Sequence, residues 1–469
     1  MAISLDQLTA AVPPPWPEDL FPAIVKAVAK SSVKLVILDD DPTGTQTIHG
    51  MPVLTTWSVP ELKAELAQNG PGFFILTNSR SLTAPAAEAL NREIGANLKR
   101  AASGPGAQLQ VVSRSDSTLR GHFPGEVDAL MDAMGTPGLP RILAPCFFEG
   151  GRLTAGDTHY VAEGKRMIPA AETPYARDAA FGYSHSNLRD WVTEKTGGSI
   201  DAGRIRSVSL ETLRQGGPDR VAERLTALPD GSLCIVNALE YRDLEVFTAG
   251  MLAAEEQGMR FVLRSAASIV RVRAGIGVRE LLDRTALTAA NRNGGLFVVG
   301  SYVPKTSAQL SALRARPDMI GIEVRVAALL DDDQRAAVIG AAAEDANQAL
   351  MRGRDVVLFT SRDLVIGSDA ASSLDIGRRV SDSLIAIVHG IQCQPRYLVA
   401  KGGITSSDVA TQGLGVRRAM VMGQVLPGVP VWQLGEETRW PGMAYIIFPG
   451  NVGSDDALAE IRQRLAIAS

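Results

Sequence analysis

Three clusters of acidic, basic and hydroxyl side chains follow short apolar runs in the first part of the chain. Val33–Leu38 leads into Asp39-Asp40-Asp41-Pro42-Thr43-Gly44. Carboxylates are costly to desolvate without a partner. Three in a row after a buried strand could take a proton, bind hydroxyl groups or hold a metal. A solvated turn with an Asx cap accounts for the same residues. Phe73–Leu76 is followed by Thr77-Asn78-Ser79-Arg80. The Arg80 guanidinium can fork onto a carboxylate or phosphate, or serve only in a surface ion pair. Leu109–Val112 runs into Ser113-Arg114-Ser115-Asp116-Ser117-Thr118-Leu119-Arg120-Gly121. Such a composition suits a small polyhydroxy acid, with arginine for its carboxylate and Asp and Ser for its hydroxyls. A purely structural explanation needs three separate polar networks at three successive strand ends.

The C-terminal part has a different character. Leu296–Val299 runs into Gly300-Ser301-Tyr302-Val303-Pro304-Lys305-Thr306. The spacing predicts a helix over Ser307–Ala315, with Thr306 and Gln309 as a capping box. A helix N-terminus can hold phosphate, and an ordinary capped helix has the same spacing. Tyr397–Ala400 ends in Lys401-Gly402-Gly403-Ile404-Thr405-Ser406-Ser407, with a second helix predicted over Asp408–Leu414. Paired glycines let a phosphate approach the backbone, and Thr and Ser add donors. Ala444–Phe448 ends in Pro449-Gly450-Asn451-Val452-Gly453, which also reads as a plain turn. No G-x-x-x-x-G-K-[ST] and no well-placed G-x-G-x-x-G occurs. The five histidines are scattered. Without H-E-x-x-H or G-x-S-x-G, zinc hydrolysis and the α/β-hydrolase mechanism have no support. His159, after Gly156-Asp157-Thr158, is the histidine that best fits a site; His389 lies within an apolar helical pattern.

The elements that must position these groups are short, β-branched and apolar on consecutive positions, as in parallel strands buried on both faces. Further runs are Ile142–Ala144, Leu233–Val236, Phe261–Leu263 and Val356–Phe359. Helical patterns lie between them, including Pro85–Lys99 with Thr83 as N-cap and Ser372–Ile391. Alternating strands and helices predict an α/β fold. Gly197–Gly203 and Gln215–Asp219 read as loops. The polar break Asn291-Arg292-Asn293-Gly294-Gly295 places a domain boundary near 290, giving domains 1–290 and 291–469.

The 469 residues, 45% hydrophobic and 21% charged, suit an ordinary globular chain rather than a disordered one. A formal net charge of −4 and 5% aromatic content give no bulk basic surface and no stacking platform for nucleic acid. Cys146, Cys234 and Cys393 form neither a zinc spacing nor a disulfide framework and read as structural thiols. No secretory signal or run near 18 apolar residues is visible, so a cytoplasmic protein without a membrane partner is expected.

Taken together, the motifs resemble the four-carbon acid sugar kinase family, from about Val33 to the C-terminus. The matching segments are Asp40-Asp41-Pro42-Thr43-Gly44, Thr77–Arg80, Asp116–Gly121, Gly151-Arg152 with His159-Tyr160, Gly300–Gln309, Gly402–Ser406, Pro427–Pro430 and Gly450–Gly453. The resemblance implies two α/β domains with mainly parallel sheets, an active-site cleft between them, and ATP-dependent phosphorylation of acids such as 3-oxo-tetronate, D-threonate or D-erythronate. It implies a sugar-acid pocket of Asp40, Asp41, Arg80, Arg114, Asp116, Ser117, Arg120 and His159. Asp116, then Asp41, is expected to receive or orient the hydroxyl proton. ATP is expected at Ser301, Thr306, Gly402, Gly403, Thr405, Ser406, Gly450, Asn451 and Gly453, with Mg²⁺ and no ligand set assigned to it. The chain departs from the family pattern at Pro42, at Thr45-Gln46-Thr47 where many members carry an Asp, and at Arg114 where Lys is usual. A nucleotide- or sugar-acid-binding sensor, and an isomerase or lyase on the same scaffold, are the alternatives. Oligomeric state is left open, with a homo-oligomer compatible.

Overall fold

A computed structural model describes residues 3–103, 108–300, 303–362, 370–450 and 452–466, with backbone only for 370–374. Two compact units meet in sequence between Val278 and Arg279. The division falls before the Asn291–Gly295 break because the intervening residues pack with the second unit. The Leu282 N–H donates to Gln424 O at 2.7 Å, and Leu282 and Leu287 sit in the same core as Phe297, Val299 and Ile446.

The first unit is built on eight strands in the order Ile205–Val208, Leu233–Val236, Arg141–Ala144, Val262–Ser265, Gln108–Arg114, Val33–Asp39, Gly72–Leu76 and Pro52–Leu54. Every pairing among them is parallel. The central strands are buried on consecutive positions, as the apolar runs require, and helices such as Ala84–Ala101 and Tyr241–Glu256 complete the α/β unit. Each fully buried Val, Leu, Ile or Phe contributes roughly 1.5–3 kcal/mol. A separate antiparallel sheet of Ile3–Ser4, Arg166–Pro169, Thr158–Glu163 and Arg152–Ala155 also belongs to this unit.

The second unit has the order Arg418–Leu426, Val429–Leu434, Ala444–Phe448, Leu398–Lys401, Leu296–Val299, Asp355–Thr360 and Met319–Val324. From Ala444–Phe448 onward the pairings are parallel; the two hairpin strands are antiparallel. Membership of the α/β class is as expected.

Several local expectations are corrected. The helix after Val299 spans Pro304–Arg314, with Val303 as N-cap and Pro304 leading it, so Thr306 lies inside the helix rather than at its N-cap. Proline's fixed φ starts the helix before the Thr306–Gln309 spacing can. The helix after Lys401 begins at Gly403, runs to Asp408 and continues as a π turn over Val409–Gly413. Gln215–Asp219 lies within Leu210–Thr226, kinked where Gly217 takes φ 67°. Thr83 is the N-cap of Ala84–Ala101 as expected, though without a side-chain capping hydrogen bond.

Candidate active site

Parallel pairing puts the carboxyl ends of four neighbouring strands of the first unit on one edge. Asp39 is level with Leu76 on one side and Arg114 on the other, and Arg114 is level with Ser265. After Val33–Asp39 the chain lays Pro52–Leu54 and Gly72–Leu76 on one side, then crosses to the other side for Gln108–Arg114. Ligands of open α/β sheets bind at such switch points.

The polar residues on this edge interlock. Arg80 donates through Nη2 to Asp41, and its Nη1 lies 3.2 Å from Asp116 Oδ1 and 3.9 Å from Asp40 Oδ1. Arg120 Nε donates to Asp116 Oδ2 at 2.9 Å, and its Nη1 lies 3.4 Å from Asp178. Arg114 Nη1 donates to Asp39 Oδ1 at 3.2 Å. Thr43 N–H donates to Asp41 Oδ1 at 2.8 Å, which starts the tight Pro42–Thr45 turn. Gly44 fits because it lacks a side chain: a Cβ there would be 2.0 Å from both Asp39 carboxyl oxygens.

These contacts sort the carboxylates. Burial pushes Asp116 up, but Arg120 and Arg80, with hydrogen bonds from Arg120 and Thr118, outweigh it and hold the group well below the usual range. Asp41 is also held low, because Arg80 and Thr43 outweigh burial. Burial raises Asp39 to about 8 against Arg114. It raises Asp40 to about 6 against Arg80 and Arg114. Asp40 is 3% exposed, and neither of its oxygens has a hydrogen-bond partner. Its nearest cations, Arg80 and Arg114, stand 3.9 Å away, so it is raised in pKa yet ties up no hydrogen bond. Asp116 and Asp41, ranked first from sequence as proton acceptors, are instead engaged by arginines.

His159 does not present a free group. The ring is fully buried, Nε2 donates to Ser117 O at 2.8 Å, and Nδ1 lies 3.0 Å from Thr154 Oγ1. Burial lowers its pKa to about 4. It is a brace for the Asp116–Gly121 loop, and Tyr183, whose hydroxyl donates to Thr118 O at 2.7 Å, is another. Ser117 is buried in that loop. Sequence reading missed Arg264. It is 3% exposed at the end of Val262–Ser265, and its Nη2 donates to Arg120 O at 3.2 Å. The signal was present: this strand ends in Arg264-Ser265, an arginine and a serine at the carboxyl end as in the run to Ser113-Arg114.

In the second unit, Val299, Lys401 and Phe448 are level on three parallel strands. Gly402, at φ 111°, donates to Phe448 O at 2.9 Å and precedes the helix starting at Gly403. Thr405 packs against Gly300, where a Cβ would be 2.4 Å from Oγ1. Ser406 is committed, donating to Ala400 O at 2.9 Å. Thr306 is fully buried in its helix. Lys401 Nζ, also buried, donates to Pro449 O at 2.5 Å and Gly450 O at 2.9 Å; burial, with the nearby Lys305 charge, lowers its pKa to about 7. Lys305 Nζ donates to Gly453 O at 2.9 Å, and Gln309 Nε2 to Val452 O and Ser454 O at 3.0 and 2.8 Å. Gly453 takes φ 81°. Ser301 and Asn451, expected to hold nucleotide, lie outside the described residues. Among the described residues, no group of three or more His, Cys, Asp or Glu is arranged to hold a metal.

Residues 35–273 match the family model described as a sugar-binding N-terminal domain, and residues 296–458 the one described as a nucleotide-binding C-terminal domain. The fold alone is shared with a solved protein of Salmonella typhimurium LT2, at TM-score 0.66 and 19% identity over 93% of this chain and all (100%) of that one. A Haemophilus influenzae protein shares it at TM-score 0.62 and 16% identity, over 92% of this chain and 100% of the other. Three curated relatives carry kinase names. The 3-oxo-tetronate kinase of Burkholderia multivorans is 28% identical over 83% of this chain and 88% of its own length. The D-erythronate kinase of Heliobacterium modesticaldum is 26% identical over 76% and 79%. The D-threonate kinase of Cupriavidus necator is 26% identical over 77% and 81%. A sugar-binding unit followed by a nucleotide-binding unit defines a small-molecule phosphotransferase. The chain belongs to the four-carbon acid sugar kinase family.

Proposed function

We propose that this protein transfers the γ-phosphoryl group of ATP to a hydroxyl of a four-carbon sugar acid. The acid belongs at the charged edge of the first unit and the nucleotide at the glycine turns of the second. The observation that carries the reading is Asp40, a buried carboxylate with two unpartnered oxygens among arginines and a pKa near neutrality. A general base must be unprotonated at working pH yet basic enough to accept a proton. Asp40 meets both conditions better than Asp116 or Asp41. The acceptor oxygen attacks the γ-phosphorus, the bond from that phosphorus to the β-bridging oxygen breaks, ADP leaves, and Asp40 takes the hydroxyl proton. Arg80 and Arg120 hold Asp41 and Asp116 in place and keep the edge cationic. Mg²⁺, if it binds as the nucleotide complex, would need no protein ligand set of its own at this edge. This ion keeps several waters and needs few protein carboxylates when phosphates are present. Its chemistry is neutralisation of phosphate charge.

The test is ATP consumption, with Mg²⁺, against a panel of four- to six-carbon aldonic and keto acids. Turnover on a four-carbon acid is expected, and Asp40→Asn should lower kcat by about 10²–10⁴-fold, the usual contribution of a positioned base. ATP binding without turnover on any acid points to a sensor. Conversion of the acid without ATP points to an isomerase or lyase. Either result overturns the kinase reading.

A further inference from the structure

The arginines first placed in the acid pocket are committed to this protein's own carboxylates. Arg80 serves Asp41 and Asp116, Arg114 serves Asp39, both also lie 3.9 Å from Asp40, and Arg120 serves Asp116 and Asp178. A sugar acid brings a further carboxylate, which needs a cation of its own. Among the described residues, the buried arginines are Arg114, Arg214, Arg264, Arg273 and Arg396. Four have a carboxylate oxygen close by: Asp39 at 3.2 Å, Asp243 at 2.7 Å, Glu255 at 2.8 Å and Asp355 at 3.7 Å. Arg264 has none within 4.0 Å, and its one hydrogen bond goes to the Arg120 carbonyl at 3.2 Å. A guanidinium has five N–H donors, so most of its capacity is unused. Burying a cation without an anion is costly, and burial lowers the proton affinity of Arg264, opposed first by the charge of Asp40.

Arg264 also stands where an anion can be used. It is level with Ser113 on the neighbouring strand, on the edge that carries Asp40. Gly121, at φ 120°, separates them: a Cβ there would lie 3.5 Å from Arg264 Nη2 and 3.5 Å from Asp40 Oδ2. With no side chain at Gly121, a guanidinium that has no carboxylate beside it and a carboxylate that accepts no hydrogen bond face the same point of the backbone. We propose that Arg264 binds the carboxylate of the sugar acid, with a hydroxyl of the same molecule donating to Asp40 across Gly121. This rests on the sugar-acid reading above. Arg152 is the rival cation. It is only half-buried, donates to Gly150 O and lies 5.9 Å from the Tyr175 ring centroid.

The experiment uses the full chain and compares a four-carbon acid with the matching four-carbon polyol, which lacks the carboxylate. Kinase rates and calorimetric binding of the acid without ATP are both read. Arg264→Met should weaken acid binding and raise the acid KM by about 100-fold, the scale of a lost charge-assisted fork. It should leave the polyol and the KM for ATP within about twofold, and Arg264→Lys should recover part of the loss because the charge stays but the fork goes. A wild-type acid-to-polyol ratio in Arg264→Met overturns the proposal, as does loss of that ratio in Arg152→Met alone. If Arg264→Met does not fold, as judged by circular dichroism, the same ratio in Arg264→Lys decides. Acid binding lost in the variant, with no acid phosphorylated by wild type, supports Arg264 and overturns the kinase reading. Phosphorylation with an unchanged acid KM in the variant does the reverse. No acid binding to wild type overturns both.

Discussion

Under the proposed function, the two units bind at a sheet edge with different materials. In the first, the edge is made of side-chain charge: Asp39, Asp40, Asp41 and Asp116 against Arg80, Arg114 and Arg120. In the second it is made of backbone, with Gly402 and Gly453 at positive φ and Lys305, Lys401 and Gln309 tying down carbonyls of the last turn. The difference reflects what each must recognise. A phosphate is the same anion in every nucleotide and can be met by backbone N–H groups. The hydroxyls of a sugar acid differ in position and configuration, and only side chains can discriminate among them. The charged edge is costly to bury and depends on complete pairing; the backbone edge depends on a few dihedral angles.

The strongest way to break this comparison is to remove the shared cation. Arg80→Met leaves Asp40, Asp41 and Asp116 short of a partner, and breaking a buried pair costs about 3–5 kcal/mol. Urea unfolding should show that loss. An equal loss in a variant of an exposed arginine would show that the edge is not specially dependent on pairing. Gly402→Val attacks the other side. With φ at 111°, a β-branched residue is strained by about 1–3 kcal/mol, so the KM for ATP should rise more than tenfold while calorimetric binding of the acid is unchanged. Equal damage to both ligands would erase the division of labour.

Two pH measurements sharpen it. With Asp40 at about 6, kcat/KM for the acid should rise about tenfold per pH unit below 6 and level off above it. Arg80 is the largest influence lowering that pKa, so in any surviving Arg80 variant the limb should move to higher pH. A limb near 4 would return the role to an ordinary carboxylate. Lys401 titrates in the opposite sense. Its folded pKa of about 7 lies below the ordinary 10.5, so between those values the unfolded chain binds more protons and stability rises with pH. Relative to Lys401→Met, wild type should gain at most about 1.4 kcal/mol per pH unit from pH 7 to 10. The smallest effect belongs to Asp178→Asn. Its contact with Arg120 is partly exposed at both ends, and such pairs contribute at most about 1 kcal/mol. A larger loss would mean that the Arg120 brace matters more than its solvent contact suggests.

Much of the fold and of the charged edge was legible in the residues alone. Consecutive apolar residues of Val33–Leu38 and Leu296–Val299 can be buried on both faces only in a parallel sheet, and both strands stand there. Acidic and basic residues directly after such runs had to lie on one edge. Less legible were the antiparallel sheet around His159 and the hairpin of Arg418–Leu426 and Val429–Leu434, whose pairings join short or bulged strands. Gly216-Gly217-Pro218 read as a break, but the chain bends and continues in a helix because Gly217 can take positive φ and Pro218 stands just beyond it.

Residue types and their spacing were enough for the fold class, the strand ends that carry chemistry, and the family. Each of these is a local property of residue type and spacing. Roles within the site came from tertiary contacts: Arg80 and Arg120 hold Asp41 and Asp116, His159 is a brace, and Gly121 lies between Asp40, which has no hydrogen bond, and Arg264, which has no carboxylate beside it. A carboxylate's basicity and an arginine's availability depend on desolvation and on charges a few ångströms away. Those neighbours come from strands far apart in sequence, so strand order and register, rather than any motif, assign the roles.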